Sequence, residues 1–410
     1  MLERRMISAE KLDSFVSKSP FVHYMKTSAW GEFKNRTEGS FCSFMGFYDG
    51  EELKATAMIL TDSFLTHRFH YIPKGPCLDY TDKALRREVF ELLKEYAVDD
   101  KTQFLRIDPD VIRISRDILG NPVEGINNED LTEQLIELGF AHRGYNYAYD
   151  GSSSNRYTLI VDLDRPMEEV IKGFSKQRRT SLNRHAVSGV ATRIGNASDI
   201  PSLMAFEKML SEQDGFRPHS KSFFENLLQC FEGHARLYVT EISIDAMAAG
   251  IEAELQSKKY RKDPEARQAK ENDLQRAMKL KSEYGSSLPI ACGLFVNYGD
   301  MSWDLYTYNH KEFNFIKPVD NLHAFAMKDM QERGVKRYDM CGFSGVTSKD
   351  DPEYGLYSYK RSFGPEFIEQ IGEFDFVINP AAYQRFKTEK SLEIRARHKI
   401  WNMLYQKKPR

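Results

Sequence analysis

The chain has 410 residues, 41% of them hydrophobic and 12% aromatic, which supports packed cores and excludes a disordered chain. Its 58 Lys plus Arg stand against 60 Asp plus Glu, a formal net charge of −2, so a polycationic surface is excluded and any contact with a polyanion has to come from local patches. The length makes two domains the default and leaves three open, and five scattered cysteines, Cys42, Cys77, Cys230, Cys292 and Cys341, offer no paired spacing for a disulfide framework or a zinc site.

The start, MLERRMISAEKLDSFV, is too charged for the apolar core of a secretory signal, and no run of about 18 apolar residues follows that could span a bilayer. A cytoplasmic chain is expected. ATAMILTDSF and RFHYIPKGP read as strands, DKALRREVFELLKEYAVDD as an amphipathic helix and QFLRIDP as a strand again; this alternation predicts an α/β layer. LTEQLIELGF has helical spacing with Gly139 to end it. DGSSSNR is the best internal boundary.

A second cycle begins with a strand over residues 157–163, followed by one helix over MEEVIKGFSKQRRTSLNRHAVSG, the strand VATRIG and the helix IPSLMAFEKMLSEQDGF. The order echoes the first cycle without any residue-level repeat. Between the strands ARLYVTEI and SLPIACGLFVNYG lies a charged segment, residues 243–285. Ile244, Met247, Ile251 and Leu255 share one helical face, Leu274, Ala277 and Met278 another, and Asp263-Pro264 reads as a helix start. A helical hairpin inserted in a sheet domain is predicted, either a packing element or an arm that meets a large partner. WDLYTYN, the helix VDNLHAFAMKDMQERG, the strand RYDMCGF and a helix–strand unit follow. The last helix, from PAAYQRF to the C-terminus, needs another surface for its apolar positions, and the first domain is the expected one.

Two basic patches stand out: Lys172, Lys176, Arg178, Arg179 and Arg184 in one helix, and Arg395, Arg397, Lys399, Lys407, Lys408 and Arg410 in the tail. Each reads alone as a solvated face; together with a polyanionic partner each reads as a contact.

The stretch YDMCGFSGVTSKDDPEYGLYSYKRSFGPEFIEQIGEFDFVINP, residues 338–380, resembles the C-terminal signature of the FemABX peptidoglycan aminoacyl transferases. SAWGEFK, YIPKGPCLDY and FSKQRRTSLNRHAVSGV agree in order and position, so the similarity covers essentially the whole chain. Size and the YIPKGPCLDY wording resemble the MurM and MurN type most, with the MurN-like reading favoured. The resemblance implies an α/β (α+β) fold of two GNAT-like acyltransferase domains with an inserted antiparallel helical hairpin. The domains are placed at 1–150 plus 381–410 and at 151–380, with the arm at 243–285. It implies transfer of a small amino acid, alanine favoured and serine or glycine open, from aminoacyl-tRNA to the stem-peptide lysine or its branch on a lipid II-type precursor. No cofactor and no metal is called for, and contact with the inner membrane leaflet would be peripheral and transient.

Such a reaction needs orientation and a cation where an oxyanion develops. Lys360, in YSYKRSF, matches the family lysine given that role, and Tyr359 the aromatic beside the tRNA end. For the precursor the matches are Lys34, suited to phosphate, Arg179 and the channel-lining Tyr306; for tRNA they are Lys176, Arg178 and Arg361. One departure stands where relatives place an arginine four residues before an aromatic: this chain has His219 before Phe223, and Arg217, ahead of Pro218, is the substitute on offer. Asp108 and Asp339 are candidate general bases or plain strand-end carboxylates. The rivals are an acyl-CoA-dependent GNAT N-acyltransferase, disfavoured because no Arg/Gln-x-x-Gly-x-Gly/Ala loop is present, and a non-catalytic tRNA- or precursor-binding module.

Overall fold

The computed structural model describes residues 1–145, 154–185 and 188–405. Most of the expected DGSSSNR boundary (150–153), tail residues Lys407, Lys408 and Arg410, and the side chains of Arg397 and Lys399 lie outside the described residues.

Two seven-stranded mixed sheets form the framework. The first runs Glu3–Met6, Phe41–Asp49, Glu52–Phe64, His67–Ile72, Phe104–Ile107, Phe374–Val377, Ala141–His142. The second runs Val190–Ile194, Ala235–Ser243, Ser287–Tyr298, Met301–Asn309, Arg337–Phe343, Tyr157–Asp162, Glu366–Glu369. In each, four strands form an antiparallel run and the fourth pairs with the fifth in parallel: residues 70–72 with 105–107, and 301–303 with 337–339. A parallel step needs a crossover. The helices Lys83–Asp99 and Pro318–Glu332 supply it, one capped by Asp82 on the amides of Ala84 and Leu85, the other opened by Pro318. Val89, Phe90, Leu93 and Ala97 of the first and Leu322, Ala326, Met327 and Met330 of the second are buried at helical spacing. The expected echo between the halves is therefore present in strand order.

The strand Phe374–Val377 sits in the first sheet, so the chain has returned there ahead of residue 381. Arg106 clamps it, with Nε 2.7 Å from Asp375 Oδ1 and Nη2 2.9 Å from Oδ2. The C-terminal helix Pro380–Tyr405 then lies on the first sheet, with Phe386 among the rings of Phe64, Phe69 and Phe104 and Glu389 2.8 Å from His67 Nε2.

Two local expectations are corrected. The single helix expected from MEEVIK onward is two, Met167–Gly173 and Lys176–His185. The chain turns extended at Phe174 to bury that ring against Phe363, and the Ser175 hydroxyl accepts from the Arg178 amide. The inserted hairpin forms as Ile244–Leu255, Lys258–Lys262 and Pro264–Tyr284, but Ala277 and Leu280 face the seam while Met278 is 55% exposed. Helical spacing puts Leu280, not Met278, on the face of Ala277. Among the described residues no helix is long and apolar enough to cross a membrane.

Candidate active site

Both strands of the parallel pair in the second sheet are bulged at one level. Pairing stops at Trp303 opposite Asp339. Just beyond, the strand Met301–Asn309 shifts register between Asp304 and Tyr306, and Arg337–Phe343 shifts between Asp339 and Gly342. Cys341 takes up the second irregularity with φ 59°, a left-handed conformation uncommon for a residue with a side chain. Bulges re-aim side chains and end pairing; here they leave the carbonyls of Cys341 and Gly342 without a strand partner on that side.

Lys360 takes those carbonyls, its Nζ donating to Cys341 O at 3.2 Å and to Gly342 O at 2.8 Å. It sits in the last turn of the helix Tyr354–Arg361, where a cation suits the helix dipole. Tyr357 fixes that helix: its ring is buried and its hydroxyl donates to Ile118 O at 2.5 Å. Burial pushes the Lys360 ammonium down from the usual lysine range, opposed by Cys341, Asp304 and Asp339. Asp304 accepts from the Thr307 hydroxyl at 2.5 Å, and Asp339 from the Thr158 hydroxyl and, at 2.7 Å, the Cys341 amide. Burial raises both carboxyls to about 6. His323, pushed down to about 3 by burial, is neutral and shares a 2.7 Å hydrogen bond with the Tyr338 hydroxyl. The Cys341 thiol is pushed well up by burial, so it is no ready thiolate.

Tyr359 faces the other way. Its ring lies near His323 and Phe363 and under the Arg178 guanidinium at 4.4 Å, and its buried hydroxyl has no hydrogen-bond partner among the described residues. Arg178 is itself buried and braced on Asp320 and, at 2.7 Å, on Ser362 Oγ. Arg179 donates to the carbonyls of Phe174 and, at 2.8 Å, Lys172, closing the preceding helix. Lys176 and Arg361 are exposed.

Of the four residues expected on the precursor side, Lys34 and Tyr306 are joined by a chain of aromatic rings. Lys34, on the helix Ser28–Glu38, pairs with Glu38 and lies 5.5 Å from the Trp30 ring. Phe33 of the same helix meets Phe223 at 5.1 Å, and Phe223 meets Tyr306 at 5.7 Å. His219, not Arg217, turns inward: it stacks on Phe223 at 4.0 Å and its Nδ1 lies 2.6 Å from buried Glu207, while Arg217 is exposed. A cavity of about 450 Å³ lies between the halves, with Tyr24, Lys74 and Asp110 on one side and Trp303, Asp339 and Cys341 on the other. In the first sheet Asp108 holds the equivalent strand-end position, accepting from the Lys74 amide at 2.5 Å with Lys74 Nζ 3.5 Å away.

The structure thus places Asp339 on the cavity wall beside the Cys341 and Gly342 carbonyls that hold Lys360, sets Tyr306 apart in a cluster of rings with His219 and Phe223, and spends Arg178 and Arg179 internally. Asp304, His323, Thr158 and Cys341 escaped sequence reasoning.

The chain is 26% identical over 428 residues to a "Lipid II:glycine glycyltransferase" of Staphylococcus haemolyticus (strain JCSC1435), covering 97% of this chain and 98% of that one. It is 26% identical over 437 residues to the protein of that name from Staphylococcus aureus (strain COL), covering 99% and 100%. The crystal structure of FemX superposes with a TM-score of 0.77 at 23% identity, over 93% of this chain and 99% of that one. A tandem GNAT protein of clavulanic acid biosynthesis gives 0.51 at 9% identity, over 92% and 98%; the fold is two GNAT-like domains. The FemAB family model matches residues 7–390, and the chain belongs to that family.

Proposed function

We propose that this protein transfers a small amino acid from aminoacyl-tRNA to an amine of the stem peptide, or of its branch, on a lipid-linked peptidoglycan precursor. The observation that carries this reading is the Lys360 ammonium, tethered by two backbone carbonyls where two bulged strands part, beside a cavity that both halves line. An aminoacyl ester is already activated. A neutral amine attacks its carbonyl carbon, the oxygen gains negative charge, the nitrogen releases one proton, and the tetrahedral centre collapses by expelling the ribose oxygen, which takes up one proton. A fixed cation at the developing oxyanion speeds both steps without a covalent intermediate. Support also comes from the Cys341 thiol, whose raised pKa makes it a poor nucleophile in the same opening.

The staphylococcal relatives put glycine beside alanine and serine as a donor. The acceptor is the lysine amine or a residue already added to it. The site of action is the cytoplasmic leaflet, reached by transient peripheral contact.

The test mixes purified full-length protein with glycyl-, alanyl- and seryl-tRNA and a lipid-linked pentapeptide precursor, and weighs the product by mass spectrometry. One donor adds its residue mass. Lys360→Met slows transfer by about 10²–10³, the usual cost of one oxyanion donor, with tRNA affinity little changed. No mass gain with any donor overturns the reading.

A further inference from the structure

The strand Arg337–Phe343 alternates in what its residues meet. Tyr338 and Met340 fill the second core, while Arg337, Asp339 and Cys341 line the cavity of about 450 Å³ between the halves. Lys360 holds the Cys341 end of that row through the backbone carbonyls. Arg337 marks the other end, four residues of strand away, on the order of 13 Å. The chemistry at Lys360 leaves that end unused.

Arg337 is half-buried, and among the described residues its guanidinium forms neither an ion pair nor a hydrogen bond. The lysines nearby are engaged. Lys26 Nζ donates to Phe21 O at 2.6 Å and lies 4.0 Å from Asp110 Oδ2, and Lys74 Nζ lies 3.5 Å from Asp108 Oδ2. Asp110, on the opposite wall, keeps its charge: burial works against it, and His23, Lys26, Lys74 and Arg337 hold its carboxyl below the usual range. It is therefore an acceptor for N–H groups. Gln370 supplies a second one, since its Oε1 is buried at the same cavity with no hydrogen-bond partner among the described residues. A buried polar atom without a partner calls for one.

One unpaired guanidinium beside two acceptors fits the end of a peptide. A guanidinium takes a carboxylate through two parallel N–H bonds, and acceptors on the walls take the backbone N–H groups that come before it. A pyrophosphate needs several converging cations and would be repelled by Asp110, and an ammonium would be repelled by Arg337. The spacing agrees, because a lysine side chain plus about two extended residues covers the distance from Lys360 to Arg337.

We infer that Arg337 holds the C-terminal carboxylate of the acceptor peptide, with backbone N–H groups accepted by Asp110 and Gln370. The amine presented to Lys360 then belongs to a residue about two positions before the peptide's end. The inference rests on the acceptor put forward above. It makes Arg337 a specificity residue that acts on the acceptor and not on the donor.

The test compares two acceptors with the full-length protein, the lipid-linked pentapeptide precursor and the same precursor with its C-terminal carboxyl converted to a carboxamide, in transfer and in equilibrium binding. For the unaltered protein the carboxamide raises the acceptor KM on the order of tenfold or more, the usual effect of a lost hydrogen bond to a charged group, with kcat little changed. Arg337→Met raises KM for the free acid by a similar factor, leaves the carboxamide as it was and leaves KM for aminoacyl-tRNA unmoved. Arg337→Lys recovers part of the loss. A variant that raises KM for both acceptors equally marks a structural role and overturns the inference. So does an unaltered protein that takes acid and carboxamide alike, a comparison that needs no variant to fold. If transfer occurs without preference between the two, the carboxylate subsite alone falls. If no residue is transferred but the unaltered protein binds the acid more tightly and Arg337→Met abolishes that preference, the transferase reading falls and the subsite stands. If the acceptors neither react nor bind, both fall.

Discussion

Whether Lys360 stays charged is decided by its neighbours. Burial depresses its pKa, while Cys341, Asp304 and Asp339 oppose that shift; an ammonium near carboxylates keeps its proton to higher pH than one without them. Both carboxyls, raised to about 6 by burial, are ionised above that pH. Asp304→Asn therefore lets Lys360 lose its proton earlier, and the alkaline limb of the kcat/KM profile moves down by on the order of one pH unit. Lys360→Arg, which cannot deprotonate, removes that limb if transfer survives. Stability gives a second readout. An acid with a raised folded pKa contributes stability that is complete below the unfolded value, near 4, and is lost as pH rises through about 6. Asp304→Asn has no such loss, so its stability relative to the unaltered protein improves between pH 4 and pH 7. An alkaline limb unmoved by Asp304→Asn sinks this account. Lys360 and Tyr359 could be singled out from sequence because they sit inside a stretch of fixed spacing. Asp304 and Cys341 could not, because a bulge is set by the strand opposite and no local pattern encodes it.

At the scale of elements, strands and helices were readable where burial repeats along the chain, as in Val89, Phe90, Leu93 and Ala97. They were misread where one residue breaks the pattern. Phe174 interrupts an otherwise helical stretch to fill the second core, and the charges that follow then have partners that composition cannot reveal: Asp320 for Arg178 and two carbonyls for Arg179. The return of the chain to the first sheet is a similar case. FDFV carries a buried acid, Asp375, that only makes sense against Arg106 and the Tyr383 hydroxyl, 2.6 Å away. Removing one partner of such a pair strands a buried charge, so Asp375→Ala costs about 3–5 kcal/mol, and paired Asp375→Ala with Arg106→Leu recovers part of the loss. Denaturant titration reads both. A single variant as stable as the unaltered protein shows that the clamp does not hold the returning strand.

Across the whole molecule the two sheets share one core. Leu12, Phe33, Met58 and Leu60 from the first half and Ile160, Leu203, Leu294 and Trp303 from the second belong to one buried cluster. Tyr24 meets Trp303 at 5.0 Å and Phe231 at 6.0 Å across it. A joint filled with this much apolar surface is the opposite of a hinge, so acceptor and donor must approach through the openings around the core rather than by parting the halves. The exchange of segments reinforces this, because the sixth strand of the first sheet, Phe374–Val377, arrives only after the second half is complete. One cooperative unfolding transition is therefore expected, with tryptophan fluorescence and far-ultraviolet circular dichroism changing together. Phe33→Ala, which empties a site in the shared cluster, lowers stability by about 3–5 kcal/mol and moves both signals by the same amount. Two separate transitions, with only the earlier one displaced by Phe33→Ala, would mean that the halves fold independently and that the Lys360 opening does not depend on the first half for its shape.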